Sequence, residues 1–176
     1  MFDYTINIIP KQLDLFLLES KIQNPSYIKY FKEKIDQGVL LSENNDRTRV
    51  KGKMTDWKYF NEDEIFHKFI QEITPLVFKF LQPFQKIAIQ SSWGNILQGD
   101  NHVEEHDHVG SNISGLLYLT DIGPGTDFPD FKRTIKEEAG KFILFHSHSL
   151  HGVKKTNLNE KRYSLAFNLY ATKYWE

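Results

Sequence analysis

Near Pro83 the sequence changes from helical periodicity to short strand-like runs. These runs are rich in β-branched and aromatic residues and are separated by glycine and polar turns, a pattern typical of β-strands. They cover residues 87–97, 113–120, 141–145 and 162–171. Because strands that follow helices commonly form a barrel or sandwich with the helices packed against it, the sequence predicts a mainly β, α+β fold: an antiparallel barrel backed by N-terminal helices.

Residues 1–83 are expected to be mainly helical support and residues 84–176 the β core, together forming a single domain of 176 residues. Helices are predicted around 13–17, from Asn24 to about Gly38, and from Asn61 to about Pro75, where the third helix kinks or ends. Asn24 can cap the second helix, and acidic residues open the third, where the helix dipole favours them. The polar segment 42–59 is interpreted as a solvated loop, with a lid or substrate-contacting loop as the alternative.

The composition excludes several classes of site. The chain has no cysteine, so disulfides, thiolate zinc sites, iron–sulfur clusters and cysteine nucleophiles are excluded, and any metal must be held by histidine and carboxylate. The net charge of -1 gives no overall field that would attract nucleic acid or an anionic membrane. Because neither a signal peptide nor an apolar run of about 20 residues is evident, the expected location is cytoplasmic.

Six of the seven histidines lie in the strand-rich half. They are His102, His106, His108, His146, His148 and His151. Residues two apart on a strand point to the same side, so His106 and His108 can converge on one ion while Asp107 points away. A later strand could add His151 from across a barrel. Two close ligands and one distant ligand are typical of the facial triad of non-haem iron enzymes, which leaves metal positions open.

The C-terminal run alternates between a polar or small face and an apolar face. Arg162, Ser164 and Asn168 belong to the first face, and Leu165 and Phe167 to the second. If the apolar face packs on the helices, Arg162 points into the barrel, where a cation is costly without an anionic partner. A dicarboxylate would provide that partner through a two-pronged contact with the guanidinium, assisted by Ser164.

Taken together, these segments resemble the 2-oxoglutarate/iron(II) dioxygenase superfamily, especially its small branch related to prolyl-hydroxylase-like oxygenases. In that branch H-x-H is followed by a serine–glycine–hydrophobic–tyrosine strand. The matching segments here are HDH at 106–108, SGLLYL at 114–119, FHSHSLHGV at 145–153 and RYSLAFN at 162–168. The resemblance covers roughly residues 90–170, about half of the chain, and implies a double-stranded β-helix, also called a jelly roll or cupin-like barrel.

The resemblance also implies residue roles. His106 and His151 would be iron ligands, Arg162 and Ser164 would hold the distal carboxylate of 2-oxoglutarate, and Asn95 and Tyr118 would be further contacts to this co-substrate. No catalytic side chain is expected beyond the metal ligands. The expected cofactors are Fe(II) and 2-oxoglutarate, with O2 as the second co-substrate.

The first motif departs from the commoner H-x-D of the superfamily, because His108 occupies the aspartate position. Either the metal has three histidine ligands, or His108 does not bind the metal and a carboxylate or water takes its place. The carboxylates to test are Asp121, Asp127 and Asp130. His102 and Glu104 form a literal H-x-E and define another register, four residues further from the SGLLYL strand.

The predicted function is a 2-oxoglutarate-dependent hydroxylase acting on an unactivated C–H bond. Its substrate is not encoded in any motif, and a peptide side chain or a small metabolite fits the resemblance; neither a membrane nor bulk nucleic acid is an expected partner. Two rivals use the same histidines: a cupin-like metalloenzyme without 2-oxoglutarate, which leaves Arg162 unexplained, and a non-catalytic jelly-roll binding module. A structural metal site typically has four protein ligands, whereas a catalytic site leaves one metal position open for water or substrate.

Overall fold

The computed structural model describes residues 3–9, 15–42, 49–80 and 86–172. The described residues form twelve strands, two α-helices and one short 3-10 helix at Pro129–Phe131. The helices are α1 (Ser26–Leu41) and α2 (Glu64–Phe80). The strands are β1 (Tyr4–Ile9), β2 (Leu15–Lys21), β3 (Val50–Lys51), β4 (Lys53–Met54), β5 (Lys86–Gly99), β6 (His102–His106), β7 (Ile113–Tyr118), β8 (Thr126–Phe128), β9 (Arg133–Ile135), β10 (Lys141–His146), β11 (His151–Val153) and β12 (Leu158–Thr172).

The strands form two sheets, and every described pairing is antiparallel. The major sheet has the strand order β1-β2-β10-β7-β12-β5-β4, and the minor sheet has the order β3-β6-β11-β8-β9. This arrangement is consistent with the predicted double-stranded β-helix. The four predicted strand runs correspond to β5, β7, β10 and β12, whereas the four shorter strands of this half, β6, β8, β9 and β11, were not among the predicted runs.

The two helices pack on one face of the major sheet. Phe31 of α1 and Phe69 of α2 are fully buried, and Phe69 contacts the ring of Phe167 on β12 with ring centroids 5.8 Å apart. Tyr163, Leu165, Phe167 and Leu169 of β12 all belong to this core. The alternation of β12 therefore works as predicted: its apolar face packs on the helices, and its polar face points to the space between the sheets.

The prediction of a helix around 13–17 is wrong, because the described part of that region, from Leu15 onward, is strand β2. Strand β2 lies inside the major sheet, between β1 and β10. Leu15 and Leu17 pack in one apolar cluster while Phe16 and Leu18 pack in the core beneath the helices. A strand buried on both faces has a continuous apolar run, which periodicity cannot distinguish from a buried helix.

The other two predicted helices correspond to α1 and α2, but their ends differ from the predicted ones. Helix α1 continues past Gly38 to Leu41. A Cβ at Gly38 would lie 2.6 Å from Cγ2 of Thr55, so this glycine permits close packing and does not end the helix. Helix α2 is capped by the carboxylate of Asp63, whose Oδ1 accepts a hydrogen bond from the Phe66 amide (2.9 Å), and it continues through Pro75 to Phe80.

The segment 42–59 is not simply a loop. Its residues 43–48, including Arg47, lie outside the described residues. Beyond them, Val50 and Lys51 of β3 pair with β6, and Lys53 and Met54 of β4 pair with β5. The segment thus supplies one edge strand to each sheet.

Neither of the two described helices is both long enough and apolar enough to span a membrane. That the whole chain forms a single domain stays a prediction.

Candidate metal centre and co-substrate cavity

Three histidines meet between the sheets. His106 ends β6 and His151 begins β11, and these two residues face each other in the antiparallel register. His108 lies two residues beyond the end of β6, and its amide donates a hydrogen bond to the Ser147 carbonyl (2.8 Å). One potential ligand nitrogen from each of the three rings lies within 4.8 Å of the other two. The predicted triad is therefore brought together as a group that could hold a metal ion.

Backbone carbonyls orient two of the three rings. Nδ1 of His106 lies 2.8 Å from the Glu104 carbonyl oxygen, and Nδ1 of His151 lies 3.0 Å from that of Ser149. A carbonyl can only accept, so in each ring Nδ1 carries the proton and donates. Nε2 is then left with a free lone pair, which is the usual way that a protein fixes the tautomer of a metal-binding histidine.

Burial keeps the three imidazoles neutral. It lowers the pKa of His108 to about 4 and lowers the pKa of His106, because a charged ring loses hydration when it is buried. The pKa of His151, which is 8% exposed, is lowered well below its ordinary range by burial and by the neighbouring His106 and His108. Metal binding requires neutral histidine, so the site does not have to release protons near pH 7.

The alternative carboxylate ligands lie elsewhere. Asp121 accepts a hydrogen bond from the Ala139 amide (2.7 Å), and Asp130 accepts one from the Leu150 amide (3.1 Å). Asp127 pairs with Lys154 (2.9 Å). Among the described residues no carboxylate joins the triad. Three nitrogens without a fourth protein ligand leave metal positions open, as in catalytic rather than structural sites.

The other strand-half histidines are outside the triad. His102 on β6 contacts the Asp100 carbonyl oxygen (3.3 Å) and does not line the cavity. His146 and His148 stack on each other with ring centroids 5.5 Å apart, and His148 lies 3.5 Å from a carboxylate oxygen of Asp107. The alternative register through His102 is therefore not supported by the described residues.

Arg162 shares a cavity with the triad. Its side chain is 2% exposed, and it lines the same cavity as His106, His108 and His151. Nη1 lies 3.5 Å from Oγ of Ser164, whereas Nη2 is buried and has no hydrogen-bond partner among the described residues. A buried guanidinium with an unpartnered N–H group is costly unless a ligand completes it.

Asn95 and Tyr118 flank Ser164 in the register of the major sheet, one on each neighbouring strand. Asn95 lines the cavity, and its buried Oδ1 has no partner among the described residues. Tyr118 is fully buried, donates a hydrogen bond to Oγ1 of Thr126 (2.8 Å) and lies under the guanidinium of Arg162. Asn95 is thus placed for a ligand contact, whereas the hydroxyl of Tyr118 is already engaged.

The sequence reasoning missed Glu137. This residue lies in the loop between β9 and β10, and its Oε1 accepts a hydrogen bond from Nε of Arg162 at 2.6 Å. A Cβ at Gly123 would lie 2.6 Å from the same oxygen, so this glycine lets the GPG turn cover the ion pair. Nothing in the sequence could distinguish the buried Glu137 from the adjacent, partly exposed Glu138.

The cavity wall beside the triad is aromatic and apolar. The Trp93 and His108 ring centroids are 6.0 Å apart, and Trp57, 41% exposed, packs edge-on against Trp93 at 4.6 Å. Val50 of β3 also lines the cavity. The segment that was interpreted as a loop or lid therefore does reach the cavity through its described part.

Comparison with solved structures gives the same architecture. The viral collagen prolyl hydroxylase vCPH of Paramecium bursaria Chlorella virus-1, in complex with 2-oxoglutarate, superposes with a TM-score of 0.66 at 15% identity, covering 86% of this chain and 94% of that chain. A Pseudomonas putida prolyl-4-hydroxylase superposes with a TM-score of 0.65 at 12% identity, covering 97% and 92%. The fold is that of 2-oxoglutarate/iron(II) oxygenases.

A third similar structure contains a metal, 2-oxoglutarate and a further bound molecule. HygX from Streptomyces hygroscopicus, with nickel, 2-oxoglutarate and hygromycin B bound, superposes with a TM-score of 0.62 at 12% identity, covering 97% of this chain and 85% of that chain. No protein-family model matches the sequence, and no curated protein matches it either.

Proposed function

We propose that this protein is an iron(II)- and 2-oxoglutarate-dependent oxygenase that hydroxylates a C–H bond. His106, His108 and His151 would hold the metal, and Arg162 and Ser164 would bind the distal carboxylate of 2-oxoglutarate. When bound, iron and 2-oxoglutarate supply the oxidising chemistry, and the chain supplies ligands, orientation and a shielded cavity.

The observation that carries the proposal is the unpartnered Nη2 of Arg162, buried in the same cavity as the three histidines. Glu137 accepts the hydrogen bond from Nε of Arg162, but no described residue accepts one from Nη2. A metal-binding cupin that does not use 2-oxoglutarate would leave this N–H group unsatisfied. A 2-oxo dicarboxylate fits both ends of the cavity, because it can chelate a metal at one end and accept hydrogen bonds at the other.

The residues that face the ligand have distinct tasks in the proposal. Ser164 supports the distal carboxylate beside Arg162, and the Asn95 amide faces the ligand from the adjacent strand. Trp93 and Val50 make the wall beside the metal apolar, which excludes water from the reacting C–H bond.

The substrate would be a peptide side chain or a small metabolite. Two of the similar structures described above are prolyl hydroxylases, and the third has hygromycin B bound. An edge-on tryptophan pair beside the triad offers an apolar surface to either class.

The test is calorimetric titration of the nickel(II)-loaded protein with 2-oxoglutarate, for the wild type and for Arg162→Lys. Lysine keeps the charge but loses the planar fork. The expected result is saturable binding to the wild type that is weakened by about 1.5–3 kcal/mol in the variant, with unchanged nickel affinity. Equal 2-oxoglutarate affinity in the two proteins would refute the proposed role of Arg162.

A further inference from the structure

Glu137 and Arg162 form a buried ion pair that the proposed chemistry does not require. Both side chains are 2% exposed, and the Nε–Oε1 distance is 2.6 Å. Oε2 of Glu137 is buried and has no hydrogen-bond partner among the described residues. Glu137 does not line the cavity, whereas Arg162 does. The carboxylate thus contacts Nε, and the terminal Nη2 is left for a ligand.

The net charge of the cavity can be counted from the few charged groups that line or contact it. Arg162 is the only Asp, Glu, Lys or Arg side chain among the described residues that line it. Three neutral imidazoles leave the charge of a divalent metal uncompensated. Arg162 adds one positive charge and Glu137 removes one, so the loaded cavity carries about two positive charges, which a dianion would neutralise. Without Glu137 it would carry about three.

We propose that Glu137 is a resident counter-ion for Arg162: it stabilises the buried guanidinium before the co-substrate binds, and it sets the charge of the cavity to suit a dianion. This inference rests on the proposed function. Glu137 acts through Arg162 and touches neither metal nor co-substrate, so it is a positioning residue.

If Glu137 is a counter-ion, removing its charge should strengthen co-substrate binding, whereas removing an ordinary binding residue would weaken it. In Glu137→Gln the amide oxygen can still accept the Nε hydrogen bond, so the guanidinium keeps its orientation, but the negative charge is lost. Arg162 is then a buried cation with no counter-ion, which destabilises the unloaded protein. The distal carboxylate of 2-oxoglutarate would replace that counter-ion and should bind more tightly.

The experiment compares two ligands on the nickel(II)-loaded protein by calorimetry: 2-oxoglutarate, and 2-oxopentanoate, which has a methyl group in place of the distal carboxylate. In Glu137→Gln the ratio of the two affinities should shift about tenfold in favour of 2-oxoglutarate, since a nearby negative charge is removed. The thermal midpoint without ligand should fall by about 10 °C and should recover on addition of 2-oxoglutarate but not of 2-oxopentanoate.

The matched control is Glu138→Gln, the partly exposed neighbour that pairs with Lys21 and Lys141. It should change neither the affinity ratio nor the recovery. If Glu137→Gln does not accumulate as folded protein, the double variant Glu137→Gln/Arg162→Gln replaces it. The double variant should fold, because both charges are removed together.

Several results would overturn the counter-ion role. If the ratio of 2-oxoglutarate affinity to 2-oxopentanoate affinity were unchanged or reduced in Glu137→Gln, the counter-ion role would be refuted and the proposed function would stand. The same holds if the double variant also fails to fold. A wild-type protein that binds neither 2-oxo acid would overturn the proposed function together with this inference. The two failures are therefore distinguishable.

Discussion

The two faces of β12 lie in opposite environments although their residues alternate along one strand. Toward the helices, Phe167 packs against Phe66 and Phe69, and the Tyr163 hydroxyl donates a hydrogen bond to Asp36 of α1 (2.8 Å). Toward the minor sheet, Arg162 and Ser164 share a cavity with three histidines. The helix face has its partners within the described chain, whereas the cavity face holds polar atoms without one. At neutral pH, loss of a side chain should lower stability most on the first face and weaken ligand binding most on the second.

The largest effect is expected on the helix face. Phe69→Ala should lower the free energy of unfolding by about 3–5 kcal/mol, because it empties a fully buried position that contacts five other aromatic rings. Chemical denaturation measures this change. The exposed Leu40, substituted by alanine, is the control and should change stability by less than about 0.5 kcal/mol. Altered metal affinity in folded Phe69→Ala would contradict the assignment of stability to the helix face and of ligand binding to the cavity face.

The cavity face should instead make stability depend on pH. His108 titrates near 6.5 when unfolded, and burial lowers its pKa to about 4 when folded. Between these values only the unfolded chain takes up the proton, so stability is greatest above pH 6.5 and falls as the pH drops toward 4. The full loss for His108 is about 3 kcal/mol in the metal-free protein.

Denaturation of metal-free wild type and His108→Gln between pH 7 and 4.5 tests this dependence. The variant should lose distinctly less stability than the wild type over that range, because residue 108 no longer titrates. Identical pH profiles for the two proteins would show that the imidazole of His108 is not buried as described.

Metal binding should be confined to the triad. His151→Ala should weaken divalent metal binding by at least about 100-fold, more than is usual for the loss of an outer contact to a ligand. Metal content after dialysis and competition with a chelator measure it. His148→Ala, a histidine outside the triad, should keep wild-type affinity. Stoichiometric metal at unchanged affinity in folded His151→Ala would remove this residue from the ligand set.

The smallest effect is expected for His108→Asp. A carboxylate can replace an imidazole on a divalent metal, so affinity should stay within about tenfold of the wild type. His108→Ala, which supplies no ligand, should lose much more. If the aspartate and alanine variants bound metal equally weakly, a carboxylate at position 108 would not reach the metal.

How far the sequence predicts each face depends on how local the signal is. The alternation of β12 and the H-x-H spacing are local, so the lumen-facing Arg162 and the convergence of His106 with His108 could be predicted. The identity of β2 depends on its pairing with β1 and β10 and on burial of its two faces, one by the helices and the other by the apolar cluster that contains Phe128 and Phe131, which no local pattern shows. Glu137 is 25 positions from Arg162 and becomes a partner only through the turn around Gly123.

In the proposed function the cavity binds 2-oxoglutarate between the triad and Arg162. The most direct measurement is anaerobic titration of the iron(II)-loaded protein with 2-oxoglutarate, followed by the metal-to-ligand charge-transfer absorption of the chelate. We expect a saturable band in the wild type, a weaker apparent affinity in Arg162→Lys, and no band in His151→Ala. Absence of the band and of saturable binding at millimolar 2-oxoglutarate in the wild type would contradict it.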